Sequence, residues 1–225
     1  MFDNYFIRKI SLSVLLTVSL NVNAATISFS IQSANSYGNA YVVPQSLGYQ
    51  FTPLVDISVS SLGFFDFLGD GLGESHTVGI FDNAGELLSS TVVPSGTVSL
   101  LDDGFRYNDI APITLSAGET YTAAALVLSN ADFIGYADVE DALVNPAISL
   151  GSLPARYIIH TETELQFPTE TVGLAGTEMY YGPNFKLTVV PLPSALLLFG
   201  SGFVILFLGL RKKNNRSLLM ANIGA

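Results

Sequence analysis

The densest group of side chains that could do chemistry lies in the stretch DFLGDGLGESH, residues 66–76. Asp66, Asp70 and Glu74 offer hard carboxylate oxygens, and the glycines between them let backbone carbonyls turn inward, which is the ligand chemistry that Ca²⁺ prefers. The spacing is not that of an EF-hand loop, because no glutamate stands at its twelfth position. Two interpretations stay open, a weak calcium site at these three acids or a glycine turn whose acids are solvated.

A second acidic group, Asp102-Asp103-Gly104 followed by Asp109, has the same two interpretations. It could share an ion with the first group only if the two loops meet in the folded protein. Sequence alone gives no reason to bring them together. Apart from Ca²⁺, no cofactor is indicated.

Catalytic patterns are scarce in this chain. It has two histidines, His76 and His160, so a three-histidine zinc site cannot form, and no HExxH motif is present. Ser75 stands beside His76, but adjacency in sequence does not create a base-to-hydroxyl geometry. No Gly-x-Ser-x-Gly elbow occurs, and the absence of cysteine excludes thiol chemistry and thiolate metal sites. We predict that the protein is not an enzyme.

The charge of the chain is concentrated in its middle. Residues 25–190 hold 18 acidic side chains but only Arg106, Arg156 and Lys186 as cations, so their formal net charge is −15. Phosphate contacts need clustered Lys and Arg, so this charge argues against nucleic acid and against anionic lipid surfaces as partners. With no disulfides available, the fold must be held by its core.

The elements that position these groups are predicted to be strands. Short runs rich in Val, Ile, Thr, Phe and Tyr recur between Gly, Asp, Asn, Pro and Ser, and no helical periodicity of any length precedes residue 192. Residues 82–85 and 116–119 read as hairpin loops, and residues 131–151 as a long loop. Eight to ten strands without βαβ spacing predict an all-β fold, a single β-sandwich of jelly-roll type over residues 25–189.

Both ends of the chain read as targeting segments. At the N-terminus, Arg8 and Lys9 precede an apolar run over residues 10–20, and small residues then predict signal-peptide cleavage between Ala24 and Ala25. The predicted signal peptide is residues 1–24, and signal peptidase is the first expected partner.

At the other end, residues 192–210 are 19 residues without a charge. As a helix they span about 28 Å, close to the ~30 Å hydrocarbon core of a bilayer. A basic cluster follows, predicted to stop transfer and remain cytoplasmic together with residues 217–225, and it consists of Arg211, Lys212, Lys213 and Arg216. The body is then exported and anchored in the inner membrane.

The order of parts in "VPLPSALLLFGSGFVILFLGLRKK" resembles a PEP-CTERM sorting signal of the VPLPA type over residues 190–216. Its motif corresponds to Val190, Pro191, Leu192 and Pro193. Ser194 stands where that variant usually has Ala, and residues 214–225 extend beyond the usual stub. The resemblance implies recognition by exosortase, a membrane-embedded peptidase of Gram-negative bacteria that make extracellular polysaccharide, and release of the body to the envelope or matrix. Residues 45–130 also resemble a β-sandwich module found in exported PEP-CTERM proteins.

For the released body we predict a structural or interaction role in that polysaccharide matrix. A carbohydrate-binding module is the alternative, because β-sandwiches often bind sugars and exposed tyrosines could stack on sugar rings. A secreted hydrolase ranks third. The candidate stacking residues are Tyr37, Tyr41, Tyr49, Tyr107, Tyr180 and Tyr181, although tyrosines on strands more often belong to the core.

Overall fold

A computed structural model describes residues 24–31, 36–38, 44–138, 142–159, 161–171 and 178–191. These ranges contain one short 3₁₀ turn, Phe67–Gly69, and no α-helix, so the all-β prediction is confirmed. The sixteen strands are β1 (Thr26–Ile27), β2 (Phe29–Ile31), β3 (Ser36–Gly38), β4 (Gln45–Pro53), β5 (Ile57–Phe65), β6 (His76–Asp82), β7 (Leu87–Val93), β8 (Leu100–Asp102), β9 (Phe105–Leu115), β10 (Tyr121–Val127), β11 (Ile134–Asp138), β12 (Ala142–Val144), β13 (Ile148–Ile159), β14 (Glu170–Thr171), β15 (Glu178–Tyr181) and β16 (Pro183–Val189).

Two antiparallel sheets form the body. One has five strands in the order β1-β16-β5-β9-β8, and the other has six in the order β14-β13-β4-β10-β6-β7. Smaller sheets, β15-β11-β3 and β12-β2, complete the described fold. Buried side chains from all four sheets belong to one hydrophobic cluster, so the layers share a core.

Alternation along the strands sets which faces are buried. In β16, Phe185 and Leu187 are buried while Lys186 lies at the surface boundary, as the sequence predicts. Strand β10 is instead buried at every position, because the six-stranded sheet is covered on both faces. Residues 161–169 cross its outer face, where the Phe167 ring lies 5.5 Å from that of Phe81.

The predicted hairpin between β6 and β7 is confirmed. The two strands pair antiparallel, and Asp82 Oδ1 accepts hydrogen bonds from the backbone N–H groups of Ala84 and Glu86, both at 2.9 Å. Gly85 has φ = 88°, a left-handed conformation that glycine adopts without strain. The aspartate and the glycine together define this turn.

The predicted hairpin at residues 116–119 is wrong. Strand β9 pairs with β5 and β8, whereas β10 pairs with β4 and β6, so the loop between β9 and β10 crosses from one sheet to the other. The turn residues were read correctly, but a turn sequence does not specify whether the next strand returns beside the first. That choice depends on the partners that the core offers.

The prediction of a long loop over residues 131–151 is also wrong. Strands β11 and β12 lie within it, and β13 begins at Ile148. Each short strand is stabilised by partners distant in sequence, β15 and β3 for β11 and β2 for β12. Such pairings are not visible in the local pattern.

The first and last strands of the body are joined. Thr26 pairs with Leu187 and Ile27 with Lys186, so β1 forms the edge beside β16. Next to this pairing, the buried Asn184 side chain accepts hydrogen bonds through Oδ1 from Ser28 Oγ and from the Phe185 N–H. This buried polar connection anchors Ser28 and Phe29, which have no exposed surface, inside the fold.

The predicted signal peptide, apart from Ala24, and the predicted membrane span at residues 192–210 lie outside the described residues. Within the described ranges, no helix is long and apolar enough to cross a membrane. Strand β16 ends at Val189 and the chain continues directly to Pro191, so no separate linker precedes the VPLP motif.

Gly48→Ala should destabilise the protein by about 3 kcal/mol or more, as expected for overpacking against backbone that cannot move aside. An added Cβ would lie 1.9 Å from the Ala123 carbonyl oxygen in the neighbouring central strand. Gly151→Ala is the matched control, since a Cβ there meets nothing within 4 Å. Urea denaturation of both variants measures the difference, and equal stabilities would contradict this account of the β4–β10 contact.

Candidate functional site at the acidic end

The loops that carry most of the candidate residues meet at one end of the body, named here the acidic end. It consists of residues 66–75, between β5 and β6, and residues 128–133, between β10 and β11. Antiparallel pairing of β6 with β10 places the two loops side by side, since β6 begins where β10 ends. They enclose a pocket of about 230 Å³, lined by Asp66, Phe67, Leu68, Asp70, Gly71, Gly73, Ala131, Asp132 and Phe133.

Asp66 is buried and forms an ion pair with Arg106. Arg106 Nε donates to Asp66 Oδ2 at 2.7 Å, and the other two guanidinium nitrogens donate to the carbonyl oxygens of Ser99 and Gly69 at 2.8 and 3.1 Å. The Gly71 N–H also donates to the Asp66 carboxylate, at 3.1 Å to Oδ2. A buried ion pair persists only where such additional bonds satisfy both partners, and here Arg106 of β9 ties the 66–75 loop to the segment before β8.

His76 is fully buried and uses both ring nitrogens. Nδ1 lies 3.0 Å from the Leu126 carbonyl oxygen, and Nε2 lies 2.9 Å from Asp132 Oδ2. A backbone carbonyl and a carboxylate thus engage both ring nitrogens, so neither is left open. The ring stacks on Phe64 with centroids 3.6 Å apart and planes 10° from parallel.

Asp132 is the acceptor at the centre of this end. The backbone N–H groups of Gly73 and Glu74 donate to its two oxygens at 2.8 and 3.0 Å. Burial alone would raise the pKa of Asp132, but the hydrogen bond from His76 and the two backbone N–H groups outweigh it and lower that pKa below its usual value. The carboxylate therefore stays ionised and bridges the two loops.

Glu74 makes the reciprocal connection. Its Oε1 accepts from the N–H groups of Leu128 and Ser129 at 3.1 and 3.0 Å, and its Oε2 accepts from Ser129 Oγ at 2.9 Å. Each loop thus supplies a carboxylate that accepts backbone N–H groups of the other. The two loops are thus joined by hydrogen bonds in both directions.

Asp70 differs from these acids. Its side chain is exposed at the pocket mouth, and among the described residues no hydrogen bond or ion pair engages its carboxylate. Beside it, Phe67 and Phe133 pack with ring centroids 5.1 Å apart, and Leu68 is 82% exposed. The pocket therefore combines an apolar wall with one free carboxylate.

The three predicted calcium ligands are brought to one end of the fold but have different partners. Asp66 pairs with Arg106, Glu74 binds the 128–129 backbone, and Asp70 faces solvent. No set of three acidic or histidine side chains within the described ranges is grouped so that it could hold a metal ion.

The second acidic group does meet the first, but through the backbone, where the Asp66 N–H donates to the Gly104 carbonyl at 2.9 Å. Its carboxylates bind elsewhere. Lys186 Nζ lies 2.7 Å from Asp102, Ser30 Oγ donates to Asp103, and Ser61 Oγ donates to Asp109 at 2.7 Å. The two groups share no common centre for an ion.

The remaining catalytic candidates are also engaged. Ser75 Oγ accepts from the Ser95 N–H at 3.0 Å and does not pair with His76, whose nitrogens are both used. His160 lies outside the described residues. The His76–Asp132 pair resembles two members of a triad but holds no nucleophile, since Nδ1 meets a backbone carbonyl.

Four of the tyrosines considered for sugar stacking belong to the core. Tyr49 and Tyr181 have no exposed surface, and Tyr107 and Tyr180 are at most 9% exposed. Burial raises the pKa of the Tyr49 phenol far above its usual value, so it stays protonated beside Ser28 Oγ at 3.0 Å. The Tyr37 side chain and Tyr41 lie outside the described part of the chain. The interpretation as core residues is therefore confirmed for these four.

Sequence reasoning missed Arg106 and Asp132 as the partners that organise this end. The sequence did contain a signal for Arg106, which is one of only three cations in the body and stands between Phe105 and Tyr107 in a strand. A cation in such an apolar strand is expected to have a buried acidic partner. Asp132 had no such signal, because its partner His76 lies 56 residues away.

The fold and the site define a cysteine-free, antiparallel β-sandwich-like domain whose buried loop charges are paired internally. More specifically, residues 32–177, more than half of the 225-residue chain, match the family described as a domain of unknown function, DUF4082, and the chain belongs to that family. No significant match exists among curated proteins.

Asp132→Asn should lower the free energy of unfolding at neutral pH by about 2 kcal/mol, because it removes a carboxylate that accepts from the buried His76 ring and from two backbone N–H groups. Asp132 has a lowered pKa in the folded state, so its contribution is complete above its unfolded pKa of about 3.9 and is lost as pH falls through the folded value. Denaturant titrations between acid and neutral pH should therefore show a shallower acid loss in the variant. Asp70→Asn, an exposed acid nearby, is the control and should match the wild type.

Thermal melts with added Ca²⁺ and then with EDTA test the predicted calcium site. We expect the Tm to stay unchanged, because Arg106 already neutralises Asp66 and backbone N–H groups saturate Glu74. A rise in Tm with Ca²⁺ that EDTA reverses and Asp70→Asn abolishes would instead establish a weak site there.

Proposed function

We propose that this protein is an exported structural or interaction component of an extracellular polysaccharide matrix, delivered by a signal peptide and sorted by an exosortase-type C-terminal signal. The observation that carries the proposal is the order of parts after β16. The VPLP motif, 19 uncharged residues and a basic cluster follow the last strand without a linker. That order suits a protein that is exported, held in the membrane by its C-terminal segment and then released by cleavage.

The prolines suit a cleavage segment. Each fixes φ and lacks an N–H, so Pro191 favours an extended backbone after β16, and Pro193 is tolerated only in the first turn of a helix that begins at residue 192. Pro191 is exposed in the structure, where a peptidase could reach it. In the only reaction that the sequence specifies, this chain is the substrate, handled first by signal peptidase and then by an exosortase-like peptidase.

A non-catalytic role for the body is supported by how its polar groups are used. Asp66, Arg106, His76 and Asp132 are buried in networks that hold loops together, and both ring nitrogens of His76 are engaged in them. We further infer a jelly-roll-like sandwich over residues 25–189, soluble and acidic after release. Its net charge of −15 keeps it away from anionic partners such as nucleic acid.

The pocket at the acidic end favours a carbohydrate-binding module as the second candidate. Phe133 is 41% exposed beside Phe67, and Asp70 has a free carboxylate. An aromatic face with an adjacent acceptor is a common way to bind a sugar ring. Glycan-array binding that is lost in Phe133→Ala and reduced in Asp70→Asn would favour this candidate over a purely structural role.

The proposed sorting predicts two cleavages, measured by intact mass and terminal peptides of protein from the native host's envelope and medium. We expect a mature form that begins at Ala25 and ends near Pro193. Replacing Pro191 and Pro193 with Ala should shift the protein toward the uncut, membrane-bound form, because the segment no longer stays extended. Pro183→Ala, at the start of β16, is the proline control and should be processed normally.

A wild-type form that retains residues 194–225 in both fractions would contradict the exosortase step and leave a tail-anchored envelope protein. A form that retains residues 1–24 would contradict cleavage by signal peptidase. Turnover of a polysaccharide by the purified body, abolished by replacing one carboxylate pair, would overturn the non-enzymatic role.

A further inference from the structure

The end of the body opposite the acidic loops, named here the exit end, carries an apolar groove. It has a volume of about 630 Å³ and is lined by Leu54, Val55, Asp56, Ala117, Val189, Val190 and Pro191. Leu54 is 58% exposed, Val55 41% and Val189 37%. The strand patterns predict Val55 and Val189 to face inward, yet both contact solvent because they lie at or beyond the strand ends.

Backbone contacts to Asp56 make the groove a formed surface. Asp56 Oδ1 accepts from the Ala117 N–H at 2.9 Å, and its carbonyl oxygen accepts from the Val190 N–H, also at 2.9 Å. The Gly118 N–H donates to the Pro53 carbonyl at 2.8 Å. These bonds join the β4–β5 loop, the β9–β10 loop and the departing chain.

Both predicted membrane-bound segments leave the body at this end. Strand β16 runs toward Val189, and antiparallel β1 places Thr26 beside Leu187. Asn145 Nδ2 donates to Thr26 Oγ1 at 2.9 Å and fixes the start of β1 there. Before signal cleavage, the chain would therefore enter the same bilayer from both of its body termini at one face.

Chain length then decides how far this face lies from the lipid. A helix over residues 192–210 is about 28 Å long against a hydrocarbon core of ~30 Å, so the whole stretch is needed to span. Leu192 must then lie at the hydrocarbon boundary. Pro191, one residue or at most ~3.6 Å earlier, lies within the headgroup layer. Because Pro191 lines the groove, the groove must also lie close to the headgroup layer.

We propose that the exit end docks on the outer surface of the membrane, with Leu54, Val55 and Val189 placed among lipid headgroups. The proposal rests on the proposed function, because it needs residues 192–210 to span the bilayer. Asp56 and Glu119 rim this face and are exposed, so the fitting surface is zwitterionic rather than anionic. Docking holds the body upright, with the VPLP motif at the lipid boundary and the acidic end facing away.

The absence of cysteine makes a clean labelling experiment possible. The full chain is reconstituted in phosphatidylcholine vesicles as single-cysteine variants that carry an environment-sensitive fluorophore, and lipids bearing a nitroxide near the headgroup serve as quenchers. Leu54→Cys reports on the exit end. Val98→Cys is the matched control, an 83%-exposed valine in the loop that follows β7 at the acidic end. Phe203→Cys, with a deep-acyl quencher, reports on the span.

We expect severalfold stronger quenching at position 54 than at position 98, together with deep quenching at position 203. A reporter at Ala117→Cys should lose part of its quenching when Leu54 and Val55 are both replaced by Asn, because the tether through Pro191 remains while the apolar contact is lost. Quenching at 203 with equal, weak quenching at 54 and 98 would overturn docking and leave the span intact. No quenching at 203 would overturn the span and with it the proposed sorting.

Discussion

The described fold depends on the Phe29 ring, where all four sheets meet. Tyr49 of the six-stranded sheet and Phe105 of the five-stranded sheet both pack edge-on against it, at 5.3 and 5.5 Å, and Tyr181 of a small sheet lies 5.8 Å away. The same segment is fixed by the bond from Asn184 Nδ2 to the Phe29 carbonyl at 3.0 Å. In a protein without disulfides, this aromatic junction must supply much of the cohesion that a bridge would give.

Around that core, the polar groups connect loops. Arg106 binds Asp66 and two carbonyls from two segments, and Asp132 accepts from three groups within residues 73–76, so their charges are buried without remaining unsatisfied. The same residue types in an open cleft would suggest catalysis or metal binding. Their burial explains why a chain rich in acids has one free carboxylate, Asp70, in its described pocket.

The two ends of the body have opposite character. The acidic end combines paired charges with a small pocket, whereas the exit end presents aliphatic side chains beside the departing chain. If the exit end docks on a membrane as proposed, this asymmetry orients the body, because only one end matches the lipid surface. The pocket at the acidic end would then face away from the bilayer.

Local pattern in the sequence determined the strand content, the β6–β7 turn and the inward positions Phe185 and Leu187, because alternation and turn chemistry act over a few residues. It also determined the targeting interpretation, which depends on unbroken apolar runs and their flanking charges. Only the tertiary structure decided that the 116–119 turn crosses between sheets, that β11 and β12 form, and that His76 meets Asp132. These features join residues tens of positions apart, and the energy that selects them comes from packing that no short window of sequence contains.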